Sequence, residues 1–183
     1  MKFASRAGEK LEHAIATFAI NVAGKTCADF GASTGGFVDC LLQHGAVKVY
    51  AVETGYGLLD WKLRNDPRVV VMERTNAMHV ELAEKVDLIS MDTSWTRIGN
   101  TIANAIANLK PNGEIIALIK PHYEATTKQL RKGKLAEEFI DDVVENVREL
   151  LKSFPVDLAA ETESPIVGSK GGNKEYLFHL KKR

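Results

Sequence analysis

The chain has 183 residues, of which 45% are hydrophobic and 26% charged, and at that length one core can be fully buried, so it is read as a single domain over residues 1–183. Its 24 Lys and Arg balance its 24 Asp and Glu, which excludes a global positive field drawing the protein onto nucleic acid and leaves only local clustering to do so. No run approaches the ~20 apolar residues of a spanning helix, and the charged opening MKFASRAGEKLE lacks the apolar centre of a secretory peptide, so the expected compartment is the cytoplasm, with no membrane partner.

A helix is expected first, from about Arg6 to Ile20, because Leu11, Ala14, Ile15 and Phe18 repeat at three and four residues and mark one buried stripe. Gly24 ends that region. Short Val/Ile/Ala-rich runs then predict strands at 26–30, 48–52, 69–73, 86–91 and 114–119, alternating with helices near 36–44, 58–65, 75–83, 96–109 and 134–153. The turn Pro111-Asn112-Gly113 separates the fourth of these helices from the fifth strand. Two last runs, 156–161 and 176–181, have no helical pattern between them and so read as an antiparallel pair. The whole predicts a doubly wound α/β fold: a mostly parallel seven-stranded sheet with a terminal antiparallel strand. Cys27 and Cys40 fall in a predicted strand and a predicted helix without metal-ligand spacing, and are read as core thiols.

The strongest local signal is the loop after the first strand, Asp29-Phe30-Gly31-Ala32-Ser33-Thr34-Gly35-Gly36-Phe37, where small residues let the backbone approach a ligand closely. In an open α/β sheet ligands collect at the carboxyl ends of strands near the switch in strand order, where this loop must lie. Phe37 and Val38 occupy the positions a Walker loop needs for Lys and Ser/Thr, and Ser33 interrupts a dinucleotide G-x-G-x-x-G. S-adenosylmethionine suits the loop better, since its cationic end gains from a carboxylate such as Asp29 and its ribose hydroxyls from Glu53. Thr54 follows Glu53, and Asn76 stands where the adenine edge would meet a donor and an acceptor. A purely structural reading of Asn76, as the first residue of a helix, stays open.

Asp92 follows the fourth predicted strand and Lys120 closes the fifth, so both project at the same edge. Neither Lys10 on the first helix nor Glu175 before the last strand is brought there by spacing. Here the segments SRAGEKL, DFGASTGGFVDCLL, VYAVETGYGLLDWKLRNDPRVVVMERTNA, ALIKPHYE and GNKEYLFHL resemble the TlyA-like haemolysin and ribosomal RNA methyltransferase family, a branch of the FtsJ-type ribose methyltransferases, over nearly the whole chain. The resemblance implies a Lys-Asp-Lys-Glu catalytic tetrad at Lys10, Asp92, Lys120 and Glu175, and a cofactor loop from Asp29 to Phe37 with Glu53 on the ribose. It also implies 2′-O-methylation of cytidine in ribosomal RNA, with that RNA or the ribosomal subunits as partner. Direct displacement at a sulfonium methyl needs the hydroxyl oxygen in line and a place for its proton. Lys120 is the residue chosen for that role, as base or as orienting group, since Lys10 and the two carboxylates push its pKa in opposite directions.

A basic run, Lys128, Arg131, Lys132 and Lys134, follows Lys120 and is expected to meet RNA phosphate, extended by Lys170 and Lys174; a solvated lysine-rich loop is the alternative. Trp95, His122 and Tyr123 are placed to stack on an unpaired base or to pack in the core. The family's D-V-S-F and K-P-Q-F-E appear here as Asp92-Thr93-Ser94-Trp95 and Lys120-Pro121-His122-Tyr123-Glu124, and its R-G-G as Arg6-Ala7-Gly8, so the catalytic residue types are kept while substrate-facing ones change. The family's small N-terminal RNA-binding domain is not found, and a fragment lacking it is expected to bind cofactor but RNA weakly. Competing readings are a small-molecule methyltransferase, a non-catalytic cofactor-binding protein and a membrane-active haemolysin. The last conflicts with the acidic polar face of the amphipathic helix near the end.

Overall fold

The computed structural model describes residues 1–168 and 172–183. Among them, strands β1 (Thr26–Phe30), β2 (Lys48–Val52), β3 (Val69–Met72), β4 (Val86–Met91), β5 (Leu109–Ile119), β6 (Val156–Glu163) and β7 (Tyr176–Lys182) form one sheet in the order β3-β2-β1-β4-β5-β7-β6. Strands β1 to β5 pair in parallel, while β7 runs antiparallel to both β5 and β6. Helices α1 (Ala7–Thr17), α2 (Gly36–Gln43), α3 (Trp61–Arg64), α4 (Ile98–Asn108), α5 (Pro121–Glu124) and α6 (Ile140–Lys152) complete it. The doubly wound architecture is as the apolar pattern predicts.

Period-two alternation divides the sheet's side chains between two cores. Ala28, Phe30, Tyr50, Val52 and Ile89 pack with residues of α4 and α6, such as Ile102 and Val147. Cys27, Val49, Ala51 and Leu88 pack on the other face with Leu11, Ala14 and Leu41 from α1 and α2. Each large side chain so buried contributes about 1.5–3 kcal/mol relative to exposure, and the central strands β1, β2, β4 and β5 carry most of this burial, whereas the edge strands β3 and β6 are partly exposed. Both cysteines are buried and free.

Four departures from the sequence reading have local causes. The helix expected at 75–83 does not form. Asn76 Oδ1 accepts the Met78 N–H at 2.9 Å and closes a turn, after which the chain hydrogen-bonds to α4. Asn104 donates to Ala77 and Val80 carbonyls, and Asn108 donates to Val80 and accepts from Leu82 N–H. Tertiary partners thus replace the intrahelical ladder. The 58–65 helix shrinks to α3, capped by Asp60, whose Oδ1 accepts Lys62 N–H at 2.9 Å. The 134–153 helix starts only at Ile140, because Lys134–Leu135 pairs with Leu130–Arg131 as a two-stranded ribbon. Pro111-Asn112-Gly113 falls inside β5 as a bulge, with Asn112 at φ +60° and the β4–β5 register slipping between Val86 and Leu88.

No helix of the described residues is long and apolar enough to cross a membrane.

Candidate active site

Strand register sets the site. Phe30 pairs with Val52 and Met91, and Met91 with Ala117, so the loops after β1, β2, β4 and β5 leave the sheet at one edge, at the reversal of strand order between β1 and β4. They surround a cavity of about 700 Å³, within the ~300–1,000 Å³ of small-ligand sites.

The glycine loop forms one wall. Gly31 takes φ +93°, and a Cβ there would stand 2.5 Å from the Asp92 carbonyl oxygen, so only glycine lets the β1 and β4 loops approach this closely. Gly31, Ser33 and Thr34 line the cavity. Opposite them Glu53, at the end of β2, accepts the Ser33 N–H at 2.8 Å and the Gly55 N–H at 2.7 Å, with Thr54 Oγ1 donating at 3.1 Å. Glu53 is thereby oriented by neighbours while it, Thr54 and Asn76 face the cavity. The Asn76 carboxamide oxygen is held by the Met78 N–H, leaving its NH₂ as the group to spare.

Four distant segments then converge. The β5–β7 register pairs Ile119 with Tyr176, which sets Lys120 and Glu175 side by side where the two antiparallel strands meet the edge. Lys120 forms an ion pair with Asp92 and lies 3.1 Å from Ser94 Oγ. Lys10, on α1, forms a buried ion pair with Glu175, the two residues being 7% and 3% exposed. Helix α1 is brought in by the α2 start: a Cβ on Gly36 would stand 3.0 Å from the Gly8 nitrogen and 2.3 Å from Ser5 Oγ, so glycine permits this close seating. Lys10, Asp92, Lys120 and Glu175 all line the one cavity.

Other residues singled out from sequence lie elsewhere. Asp29, Ala32, Gly35, Gly36 and Phe37 are not among the cavity-lining residues. Asp29 is 1% exposed beneath the loop, accepts from Ser90 Oγ at 2.7 Å, and is pushed up to about 8 chiefly by burial, with Asp92 and Glu53 adding to the rise. Buried beneath the loop and bonded to Ser90, Asp29 does not face the cavity, contrary to the expectation of a carboxylate at the methionyl end. Ala32 and Phe37 are buried in the α1–α2 core, and Gly35 caps α2.

Trp95, at φ +64° and 77% exposed, stands on the cavity wall. Tyr123 does not line the cavity. It packs between Trp95, with ring centroids 5.5 Å apart, and His122, at 4.2 Å. Lys128, Arg131, Lys132 and Lys134 are exposed along the 3-10 turn Thr127–Gln129 and the ribbon, and Arg131 is paired with Glu138 at 3.2 Å. Lys174 is exposed beside Glu175, and Lys170 lies outside the described residues.

Sequence reasoning missed several lining residues, among them Arg6, Leu58, Thr75, Met78 and Ser94. Arg6 and Ser94 sit inside quoted segments, SRAGEKL and DTSW, so proximity to Lys10 and Asp92 was the available signal. For Leu58, Thr75 and Met78 no periodicity marks an inward face, since they lie in irregular chain.

Comparison with known proteins agrees with this geometry. The FtsJ-like methyltransferase family model matches residues 3–182. The chain is 42% identical to Hemolysin A of Brachyspira hyodysenteriae over 98% of its own length and 77% of that protein. It is 43% identical to the 16S/23S rRNA (cytidine-2′-O)-methyltransferase TlyA of Mycobacterium tuberculosis over 70% of this chain, about half (49%) of that protein's length. A solved structure from Streptococcus thermophilus, provisionally named a haemolysin, superposes with a TM-score of 0.95 at 37% identity, covering 100% of this chain and 68% of that one. With the sheet order, the glycine loop and the Lys-Asp-Lys-Glu convergence in place, the chain belongs to the FtsJ-like methyltransferase family.

Proposed function

We propose that this protein is an S-adenosylmethionine-dependent 2′-O-ribose methyltransferase acting on ribosomal RNA, at a cytidine, with the ribosomal RNA or ribosomal subunit as partner. The observation that carries the reading is the convergence of Lys10, Asp92, Lys120 and Glu175 on a single cavity that Gly31, Ser33 and Glu53 also line.

The residues present fit the cofactor. Glu53 offers carboxylate oxygens to a ribose diol, the Asn76 NH₂ offers a donor to a base edge, and Gly31, Ser33 and Thr34 give the cavity a small-residue wall. When bound, S-adenosylmethionine supplies a methyl group on a sulfonium, a good leaving group that needs no metal.

What the chain's own residues do follows from their pairing. Lys120, held by Asp92 and Ser94, orients the 2′-oxygen in line for attack, the proximity effect that dominates such displacements. With S-adenosylmethionine bound, its sulfonium would supply the methyl, and the Lys120–Asp92 pair would receive the 2′-hydroxyl proton on the Asp92 carboxylate, the acceptor of that pair. The Lys10–Glu175 pair braces α1 and the start of β7 so that this hydroxyl meets a fixed surface. Exposed Lys128, Lys132 and Lys134 neutralise RNA phosphate and hold the strand in register.

The test is transfer of labelled methyl from S-adenosylmethionine to ribosomal subunits and to their free RNA, with S-adenosylhomocysteine binding measured in parallel. The expected result is ribose-attached label in the wild type and none in Lys120→Ala or Asp92→Ala, with Lys120→Ala still binding S-adenosylhomocysteine. Label on a base rather than a ribose, or undiminished labelling by Lys120→Ala, overturns the reading.

A further inference from the structure

We propose that a second groove beside the active-site cavity receives the nucleotide flanking the methylated ribose, its base edge against His122 and its phosphate on Lys134 and Lys174. The inference rests on the reading of the protein as an RNA methyltransferase and adds where a neighbouring nucleotide is recognised.

The groove has a volume of about 400 Å³ and is walled by α5, the ribbon, the start of α6 and the segment preceding Glu175. That volume lies within the ~300–1,000 Å³ of small-ligand sites and so accommodates a base with its sugar. Its walls are mixed: Leu135, Ile140 and Val167 give apolar surface for a base face, while the cations Arg131, Lys134 and Lys174 stand with the carboxylates of Glu137 and Glu138 around it. Arg131 is occupied by Glu138. Lys174 reaches Glu163 only at 3.9 Å, and Lys134 has no carboxylate within ion-pair distance among the described residues. Two lysines therefore remain for a phosphate.

His122 supplies a base-reading group. Its Nδ1 is buried without a hydrogen-bond partner among the described residues, and an unsatisfied buried polar atom costs about 1–3 kcal/mol. Burial first, and the Lys120 charge second, hold the imidazole below its ordinary pKa, so near neutral pH it carries one donor and one acceptor nitrogen. His122 thus offers a base one ring nitrogen at a time, as donor or as acceptor. Stacking on Tyr123 fixes the ring plane.

Position in the chain joins the groove to the chemistry. His122 lies two residues beyond Lys120 and Lys174 immediately before Glu175, so the two segments that present reactive groups to the cavity present this groove next to it. Asn173, 4% exposed, accepts the Leu135 N–H at 3.0 Å and ties the ribbon to the β7 approach. A single strand whose ribose lies at Lys120 must place an adjoining nucleotide within reach of it.

The experiment compares an RNA hairpin carrying the methylated nucleotide with the same hairpin made abasic at one flanking position, on either side in turn. For the wild type we expect one abasic flank to raise KM at least ~10-fold, the size of a lost base contact. His122→Phe, which keeps the ring on Tyr123, should shrink that penalty below ~3-fold and leave S-adenosylhomocysteine affinity unchanged. Lys134→Ala/Lys174→Ala should raise KM for the intact hairpin and lower the salt dependence of RNA binding by a slope of about 1–1.5, as two lost single-strand phosphate contacts require. Equal methylation of intact and abasic hairpins, or an unchanged abasic penalty in His122→Phe, overturns the groove alone. A wild type that binds S-adenosylhomocysteine yet methylates no intact RNA overturns the functional reading and the groove with it.

Discussion

The cavity holds two Lys–carboxylate pairs of the same chemistry in unlike settings. The Lys10 and Glu175 side chains are 9% and 3% exposed, whereas those of Lys120 and Asp92 are 11% and 21% exposed, and Lys120 also touches Ser94. A buried pair is costly to assemble and costlier to break, because removing one partner strands the other charge away from water. A pair open to the cavity can exchange its partner for an arriving hydroxyl. Under the proposed function, Lys120–Asp92, with the more exposed carboxylate, is the working pair and Lys10–Glu175 the brace, a division that residue type alone does not give.

The comparison can be broken most directly by kinetics. Lys120→Ala should lower methyl transfer by about 10²–10⁴-fold, the usual worth of a positioned proton-handling group, with a melting temperature within a few degrees of wild type. If it instead melts far below Glu175→Gln, the division of labour is wrong. Lys10→Met should cost about 3–5 kcal/mol of stability by leaving Glu175 buried and unpaired. In a chain of this length that is roughly 6–20 °C in Tm. Lys10→Met/Glu175→Leu should recover most of the loss, and calorimetry of the three variants checks it.

Two further effects sharpen the contrast. Gly31→Ala introduces a Cβ 2.5 Å from the Asp92 carbonyl at a φ of +93°, which moves the working pair and not the brace. We expect ~1–3 kcal/mol of destabilisation and S-adenosylhomocysteine binding weakened at least ~10-fold by titration calorimetry, since the alanine strains the cofactor wall itself.

A separate effect, spread over a pH window, is the pH dependence of Asp29. Burial raises it from the ordinary 3.8 to about 8, so between these values the folded protein binds more protons than the unfolded chain. The stability it contributes is complete below about pH 3.8 and is lost as pH rises through about 8. Thermal melts at pH 5, 7 and 9 should show wild type losing ground to Asp29→Asn as pH increases, and a constant difference would refute a protonated Asp29.

Much of the fold was legible because buried parallel strands write themselves as apolar runs. The strands 26–30, 48–52 and 86–91 match the expected spans, and the antiparallel β7 follows from the lack of a helical pattern before it. The failures cluster where side chains from another element supply the hydrogen bonds. Asn104 and Asn108 reach from α4 to hold 77–82 out of a helix, and Asn173 anchors the ribbon that delays α6. Asp29 illustrates the same limit in the site. Its place at a strand end suggested contact with a cationic ligand, but which way it faces depends on Ser90, 61 residues away.

The sequence by itself determined the sheet, the glycine-loop position and, through family resemblance, which four residues to watch. It could do so because periodicity and small-residue loops are local properties, carried by neighbours along the chain. The tertiary structure decided that Lys10 pairs with Glu175 across 165 positions, that Asp92 takes Lys120, and that Asp29 lies under the floor. Those outcomes depend on desolvation and on which charges share a cavity, quantities that exist only after distant segments have packed.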